Sequence, residues 1–426
     1  MEKLIVLSID GLNQFYLEDS SIHMPVLRTA AKNGGRVKTL ETCYPSVTWA
    51  AHTCVITGCM PQQTGVYGNT VYDPENGRSY SYFDPTLADA DKLIRHNTIF
   101  DALHAKGYTV ASICWPMTQG LDAIKYNIPE FYQHEYFVNY ATKDLWQGLA
   151  KKGVPVGEYA KWSSNHALGH LQDELTTQIA CQIMQNTDTD ALFLHYLLTD
   201  SYLHDFGAGS PEVRWACEYV DTLLGELLKQ ADAAWKDYNL IVFTDHGQTD
   251  IKQYFHANAA LRRAGLYCPE KPETSAVISV SNGGSSFLYE LNHSGKMAAA
   301  LEEIGRYDVV EEIWDKEELL RRGYIHFGGK FDFLPDAIVG YRDGVCCSNT
   351  DREDGVYSLP TRYKSTHGFS PSHQNMNGFL VVRGSRFRKG AYLETGSLKD
   401  IAPTIAQMLA LDFSAQGEPL YDLLCR

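Results

Sequence analysis

The chain has 426 residues, of which 44% are hydrophobic and 21% are charged, and its formal net charge is −15 at pH 7. These values are typical of a globular protein with a large core, and the acidic balance argues against a general nucleic-acid binder or a protein that adheres to membrane surfaces. No apolar stretch approaches the roughly 20 residues that a membrane-spanning helix needs.

The first predicted strand follows almost directly on Met1, without the apolar leader that a signal peptide contains. The ten cysteines show no repeated metal-binding spacing. We therefore expect reduced thiols and a cytoplasmic location. The sequence does not specify an oligomeric state.

Strand and helix patterns alternate along the chain. The strands are runs of Ile, Leu and Val, and the helices are marked by Ser, Thr or Pro at their starts or Gly at their ends. The alternation predicts an α/β fold with a parallel-rich central sheet flanked by helices. In chain order, the predicted elements are a strand at 4–9, a helix at 25–32, a helix N-terminus at 46–49, a helix at 98–106, strands at 108–114 and 191–199, a helix at 210–231, strands at 240–244 and 378–382, and a helix at 399–409.

Two stretches interrupt this alternation. Residues 125–175 are aromatic and polar with weak periodicity, whereas residues 265–345 carry short strands and helices of their own. The second stretch predicts a small inserted cap. We expect one domain over residues 1–426, with insertions at these two places.

Three of the apolar runs end on an aspartate, namely Asp10, Asp200 and Asp245. Ligands of parallel α/β sheets bind beyond the carboxyl ends of the strands, so these side chains are expected to gather at one edge. Carboxylates that lie close together repel each other unless protons or cations intervene. The pattern therefore predicts a site for divalent metal.

Histidines extend this predicted metal site. His204 follows Asp200 by four residues, His246 follows Asp245 directly, and His367 lies in a loop next to a glycine. Carboxylate and imidazole groups suit Zn²⁺ and also Mn²⁺. Six such side chains can hold two metals, which can stabilise the attacking and leaving oxygens of a phosphoryl displacement.

A hydroxyl group at the predicted helix N-terminus is the candidate nucleophile. We favour Thr48, because helix amides and a nearby metal would stabilise its oxyanion, and Ser46 is the alternative in the same turn. Two divalent cations, three aspartates and one deprotonated hydroxyl give a neutral site, which suits an anionic phosphoryl group. Asn69 is a neutral donor suited to a nonbridging phosphoryl oxygen.

Each of these residues alone has an ordinary explanation. A single aspartate at a strand end is most often a turn or cap residue. A single histidine is most often a hydrogen-bonded polar residue, as we expect for the remaining candidates, which are His23, His52, His96, His104 and His256. The coincidence of three strand-end carboxylates, neighbouring histidines and a hydroxyl turn favours the metal site.

Taken together, the motifs resemble the type I phosphodiesterase/nucleotide pyrophosphatase family of the alkaline phosphatase superfamily. The resemblance covers nearly the whole chain, and its motifs lie at residues 8–11, 44–48, 57–58, 64–69, 200–204, 244–247, 366–368 and 400–404. Their order and spacing together are highly specific.

The resemblance implies two zinc sites and a covalent phosphothreonine intermediate. One zinc set is Asp200, His204 and His367, and the other is Asp10, Asp245 and His246. Thr48 is the implied nucleophile, bridging or approaching both metals, and Asn69 matches the family's ligand for a phosphoryl oxygen.

The substrate pocket is less well specified. The family's diesterases usually carry an aromatic residue after the nucleophile, and Trp49 fits that pattern; we predict Tyr67, Tyr72 and Trp115 as further pocket residues. Residues 44–60 contain no Lys or Arg to hold a phosphomonoester dianion. We therefore expect a small phosphodiester or nucleotide substrate and no partnership with nucleic-acid polymers or membranes.

The same scaffold also fits other functions. A phosphomonoesterase is one, and a phosphonoacetate-type C–P hydrolase is another, with Arg78, Lys125 or Lys364 as candidates to bind a substrate carboxylate. A catalytically silent metal-binding protein is the alternative from a different functional class.

Overall fold

A central eight-stranded sheet organises the chain, as seen in a computed structural model that describes residues 1–83, 88–271, 274–351 and 355–425. Alternate residues of the first strand belong to two different apolar clusters, so the sheet is covered on both faces. An unbroken run of apolar residues places apolar side chains on both faces of a strand, which is why these segments form strands buried on both sides.

The described strands, numbered in chain order, are β1 (Leu4–Ile9), β2 (Gly35–Glu41), β3 (Thr70–Asp73), β4 (Arg78–Ser81), β5 (Val110–Trp115), β6 (Tyr126–Pro129), β7 (Ala191–Tyr196), β8 (Asn239–Thr244), β9 (Thr249–Asp250), β10 (Gln253–Phe255), β11 (Val277–Ser281), β12 (Ser285–Glu290), β13 (Val310–Trp314), β14 (Ala337–Tyr341), β15 (Val345–Cys347), β16 (Tyr357–Ser358), β17 (Ser365–Thr366), β18 (Gly378–Arg383) and β19 (Ala391–Ser397).

The described α-helices are α1 (Gln14–Glu18), α2 (Pro25–Asn33), α3 (Thr48–Thr57), α4 (Pro61–Thr64), α5 (Ala90–Leu93), α6 (Ile99–Ala105), α7 (His134–Tyr140), α8 (Lys143–Lys151), α9 (Tyr159–Ser163), α10 (Gly169–Asn186), α11 (Leu198–Phe206), α12 (Pro211–Ala234), α13 (Ala257–Arg263), α14 (Met297–Gly305), α15 (Lys316–Arg321) and α16 (Ile401–Leu409). Among them, we find none that is both long enough and apolar enough to cross a bilayer.

The central sheet is mostly parallel, with the strand order β19-β2-β18-β8-β1-β7-β5-β6. β1 lies between β7 and β8 and is parallel to both, whereas β18 is antiparallel to its neighbours β8 and β2. Ile9 is level with Thr244 on β8 and with Tyr196 on β7. The residues that follow these three strands therefore emerge side by side at one edge.

The predicted strand at 191–199 is too long, and this part of the prediction is wrong. β7 ends at Tyr196, and Asp200 lies in the first turn of α11. The carboxylate of Asp173 accepts hydrogen bonds from the N–H groups of Leu197 (2.8 Å) and Leu198 (3.1 Å), where the chain turns into the helix. The end of the strand and the start of the helix are both buried, so the unbroken apolar run does not show where the strand gives way to the helix.

The two predicted insertions differ in how they join the sheet. β6 and helices α7 to α9 lie within 125–175, and β6 forms an edge strand of the central sheet. Residues 265–345 contain an antiparallel sheet of the order β11-β12-β14-β13, which packs around a third apolar cluster. The division into one domain with two insertions stays a prediction.

Candidate active site

Asp10 and Asp245 meet at the sheet edge because β1 and β8 end side by side. Asp245 Oδ1 accepts hydrogen bonds from the backbone N–H groups of Gly11 (3.2 Å) and His246 (2.9 Å). His246 Nε2 lies 3.5 Å from Asp10 Oδ1 and 3.3 Å from Asp245 Oδ2. Asp10, Asp245 and His246 are all buried and are close enough to hold one metal ion.

The second predicted ligand set comes from α11 and the loop after β17. Asp200 and His204 are one helical turn apart, and Asp200 Oδ2 lies 3.4 Å from His204 Nε2. The Nδ1 atoms of His204 and His367 lie 2.9 Å and 3.1 Å from the carbonyl oxygens of Ser365 and Ser46. If each Nδ1–H donates to its carbonyl oxygen, the Nε2 lone pair of each histidine is left to bind a metal, as is usual for metal-binding histidines.

The two ligand sets form one continuous cluster. The rings of His246 and His367 stack 4.1 Å apart, and ligand atoms of Asp200, His246 and His367 lie within 4.8 Å of one another. The structure thus brings all six predicted ligands together. Their assignment as metal ligands stays a prediction.

The electrostatics of the cluster favour a bound cation. The pKa values of Asp10 and Asp245 are raised well above the usual range. Burial is the larger cause, and repulsion from neighbouring carboxylates adds to it. Asp10 Oδ1, Asp245 Oδ2 and His246 Nδ1 are buried without a hydrogen-bond partner in the described structure. Burial lowers the pKa of His367 to about 4, so its imidazole is neutral at pH 7. This donor set fits Zn²⁺.

Thr48 is the first residue of α3 and lies beside the first ligand set. Its Oγ1 is 3.1 Å from His246 Nε2, and the residue lines the same cavity as Asp10 and Asp200. The alternative hydroxyl, that of Ser46, donates to the carbonyl oxygen of Phe369 at 2.9 Å. Ser46 therefore anchors the loop that carries His367, whereas the position of Thr48 fits a nucleophile.

Asn69 is held against the start of α3. Its Oδ1 accepts the backbone N–H of Trp49 at 2.9 Å, and its own backbone N–H donates to Asn282 Oδ1 at 2.8 Å. The Asn69 side chain lines the cavity together with Thr48. This position suits the predicted contact with a phosphoryl oxygen.

The cavity has a volume of about 400 Å³ and one aromatic wall. The rings of Trp49 and Phe83 are 3.7 Å apart, and Phe83 stacks on Tyr132 at 4.8 Å. Sequence reasoning found Trp49 but missed Phe83 and Tyr132, because both lie outside regular elements, where no periodicity or motif identifies them.

The other predicted pocket residues lie elsewhere in the described structure. Tyr67 and Tyr72 are buried against Tyr324 and Tyr289, with ring centroids 6.0 and 5.7 Å apart. Trp115 is fully buried and meets the ring of His52 edge-on at 5.0 Å. These three aromatic side chains are not among the described residues that line the cavity, and their positions indicate core packing.

A buried network in contact with the candidate ligands was also missed. His195 Nδ1 lies 3.0 Å from Glu130 Oε2, and its Nε2 lies 3.3 Å from Asp10 Oδ2. Atoms of His52, His195 and Asp245 that could bind a metal lie within 4.8 Å of one another. His52 Nδ1 also lies 2.9 Å from the carbonyl oxygen of Thr48, so His52 is hydrogen-bonded as we expected and borders this network. A histidine inside a strand buried on both faces requires a polar partner, and that pattern in β7 could have revealed the network.

Glu130 is expected to position Asp10 through His195. Burial opposes the charged imidazole, but the hydrogen bond and charge of Glu130 raise the pKa of His195 above its usual value. The Glu130→Gln variant removes this charge, and we expect about tenfold to a hundredfold weaker metal binding, measured by competition with a chromogenic chelator. Glu135→Gln, an exposed site on α7, is the control; equal affinity in the two variants would contradict the positioning role.

Comparison with protein families gives one match over most of the chain. The sequence model of the family "Type I phosphodiesterase / nucleotide pyrophosphatase" matches residues 4–370 of this chain. Ectonucleotide pyrophosphatase/phosphodiesterase family member 5 of Homo sapiens is 20% identical over 421 residues, covering 96% of this chain and 74% of that protein. Bis(5'-adenosyl)-triphosphatase ENPP4 of Pongo abelii is 20% identical over 425 residues, covering 96% of this chain and 78% of that protein.

Solved structures show the same fold. Murine ectonucleotide pyrophosphatase/phosphodiesterase 5 is 20% identical, with a TM-score of 0.74 and complete coverage of both chains. An inactive variant of that protein, with threonine replaced by alanine, in complex with AMP gives the same TM-score. The predicted α/β fold with a parallel-rich sheet is confirmed by this likeness.

Proposed function

Because this chain belongs to the type I phosphodiesterase/nucleotide pyrophosphatase family, we propose that it hydrolyses phosphodiester or pyrophosphate bonds of small nucleotide-like molecules through a phosphothreonine intermediate. The resemblance of its motifs to this family is confirmed, and the chain is an enzyme of this class. The observation that carries the proposed mechanism is the position of Thr48 Oγ1, 3.1 Å from His246 Nε2 at the cavity wall.

The proposed reaction has two displacements at phosphorus. In the first, Thr48 Oγ forms a bond to phosphorus, its proton is released, and the leaving oxygen departs with the electron pair of the broken bond. In the second, water attacks phosphorus and Thr48 leaves, so that one water molecule is consumed overall. We propose that Asn69 donates a hydrogen bond from Nδ2 to a nonbridging oxygen, since its Oδ1 already accepts the N–H of Trp49.

Two divalent ions complete the proposed site. We propose Zn²⁺ held by Asp10, Asp245 and His246 and by Asp200, His204 and His367, with Mn²⁺ as an alternative metal. The clustering of these carboxylates and imidazoles supports the proposal, as does the lowered pKa of His367. Bound metal would supply Lewis acidity, which lowers the pKa of a neighbouring hydroxyl and offsets negative charge on the phosphoryl group. The cytoplasmic location expected from the sequence stays a prediction.

The expected substrate preference is for diesters over monoesters. A monoester dianion needs more positive charge beside the nucleophile, and residues 44–60 contain no Lys or Arg. We expect kcat/KM for p-nitrophenyl thymidine monophosphate to exceed that for p-nitrophenyl phosphate by about tenfold or more. Because the relative ENPP4 of Pongo abelii is named a bis(5'-adenosyl)-triphosphatase, dinucleoside polyphosphates are further substrates to assay. A preference for p-nitrophenyl phosphate would contradict the proposal.

The phosphonoacetate alternative gains no support from the cationic groups suggested for it. Arg78 lies over the ring of Tyr80 at 4.2 Å, and Lys125 pairs with Asp188 at 2.8 Å. Lys364 is exposed and is not among the described residues that line the cavity.

A further inference from the structure

We propose that Arg362 makes the leaving-group side of the cavity selective for leaving groups that carry further negative charge, such as pyrophosphate or a nucleoside phosphate. This inference rests on the proposed function and adds to it a residue that distinguishes charged from uncharged leaving groups. It starts from the positions of the two ligand sets relative to Thr48.

The nucleophile and the leaving group occupy different parts of the cluster. Thr48 Oγ1 lies 3.1 Å from His246 Nε2. His246 is also close to Asp200 and His367, but it completes the set with Asp10 and Asp245. In-line displacement places the leaving oxygen opposite the nucleophile. The leaving oxygen is therefore assigned to the other set, which contains Asp200 and His204.

Arg362 is held beside this second set by a series of ring contacts. The Tyr363 ring lies 4.8 Å from the His204 ring, and the Arg362 guanidinium lies 4.7 Å above the Tyr363 ring. Arg362, Tyr363 and His204 all line the cavity. The positive charge is thus separated by one aromatic ring, that of Tyr363, from His204, one of the ligands assigned to the leaving oxygen.

The charge distribution around the cavity makes Arg362 distinctive. Among the described residues that line it, Arg362 is the one Lys or Arg, whereas Asp10, Asp200 and Glu130 are acidic. No salt bridge involving Arg362 is found within the described residues, which leaves its N–H donors for a ligand. A guanidinium can bind a phosphate through two parallel hydrogen bonds. The wall formed by Trp49, Phe83 and Tyr132 offers flat aromatic surface, which suits a base or another flat group.

The test compares two substrates that transfer the same thymidylyl group. The nitrophenyl leaving group of p-nitrophenyl thymidine monophosphate carries no extra phosphate, whereas thymidine triphosphate loses pyrophosphate. For Arg362→Gln we expect the ratio of kcat/KM for the triphosphate to that for the nitrophenyl ester to fall about tenfold to a hundredfold. Arg362→Lys is expected to restore part of this ratio, because it keeps the charge but not the paired donors.

The matched control is Lys364→Gln, which removes an exposed positive charge two residues away and is expected to keep the wild-type ratio. An Arg362→Gln ratio equal to that of wild type would overturn the assignment of Arg362 alone. If the wild-type enzyme hydrolyses neither substrate, the proposed function and this inference are overturned together. Because Arg362 is exposed, loss of folding does not complicate the comparison.

Discussion

Replacing Thr48 with alanine is expected to lower kcat/KM for a diester substrate by about 1,000-fold or more, which corresponds to about 4 kcal/mol of transition-state stabilisation. The variant keeps the backbone of α3 and the six candidate ligands but lacks the oxygen that would bond to phosphorus. The side chain is small and lies at the cavity wall, so we expect metal content and thermal stability close to those of the wild type. Rates are measured with p-nitrophenyl thymidine monophosphate under single-turnover and steady-state conditions.

Two further variants distinguish a nucleophile from a structural hydroxyl. Thr53→Ala removes another hydroxyl of α3, which donates to the carbonyl oxygen of Trp49 at 2.7 Å, and is expected to keep most of the activity. Ser46→Ala is expected to act mainly on stability, because Ser46 accepts the N–H of Gly368 at 3.1 Å and donates to Phe369. Full activity in Thr48→Ala would remove the proposed nucleophile.

Much of the fold could be predicted because apolar periodicity reports burial directly. Residues 4–9 and 240–244 are apolar enough to satisfy both faces of a sheet, and β1 and β8 form there. The helix predicted at 210–231 is observed at Pro211–Ala234, where the Ser210 hydroxyl accepts the N–H of Val213 at 3.2 Å. Local capping chemistry thus identified the start of this helix better than its end.

The cluster of candidate metal ligands could be predicted from one geometric rule, whereas the residues of the pocket could not. Parallel strands place the residues after β1 and β8 at one edge, so Asp10 and Asp245 could be paired from the sequence. Glu130 contacts His195, and Phe83 contacts Trp49. In each pair the two residues are more than 30 positions apart in the sequence, so tertiary packing brings them together. No short-range pattern encodes such a contact, which is why the aromatic wall and the Glu130–His195 pair became visible only in three dimensions.

Removing divalent metal is expected to abolish most activity and to destabilise the fold. Asp10 and Asp200 line the cavity, and without cations no divalent charge offsets the negative charge of an incoming phosphoryl group there. We expect exhaustive chelation to lower kcat/KM by about 1,000-fold or more, and Zn²⁺ to restore it to a level that saturates at two ions per chain. Activity is measured alongside metal content by elemental analysis.

The stability change provides an independent readout of the same site. A metal that binds the native state but not the unfolded chain adds about 3 kcal/mol when its free concentration is a hundred times its Kd, so chelation should lower Tm. His204→Ala should reproduce part of both losses, because it removes one donor next to Asp200. His104→Ala changes an exposed histidine of α6 and is expected to behave as wild type. A folded, fully active sample with no bound metal would show that these carboxylates are stabilised by protons or hydrogen bonds instead, and the two-ion site would have to be abandoned.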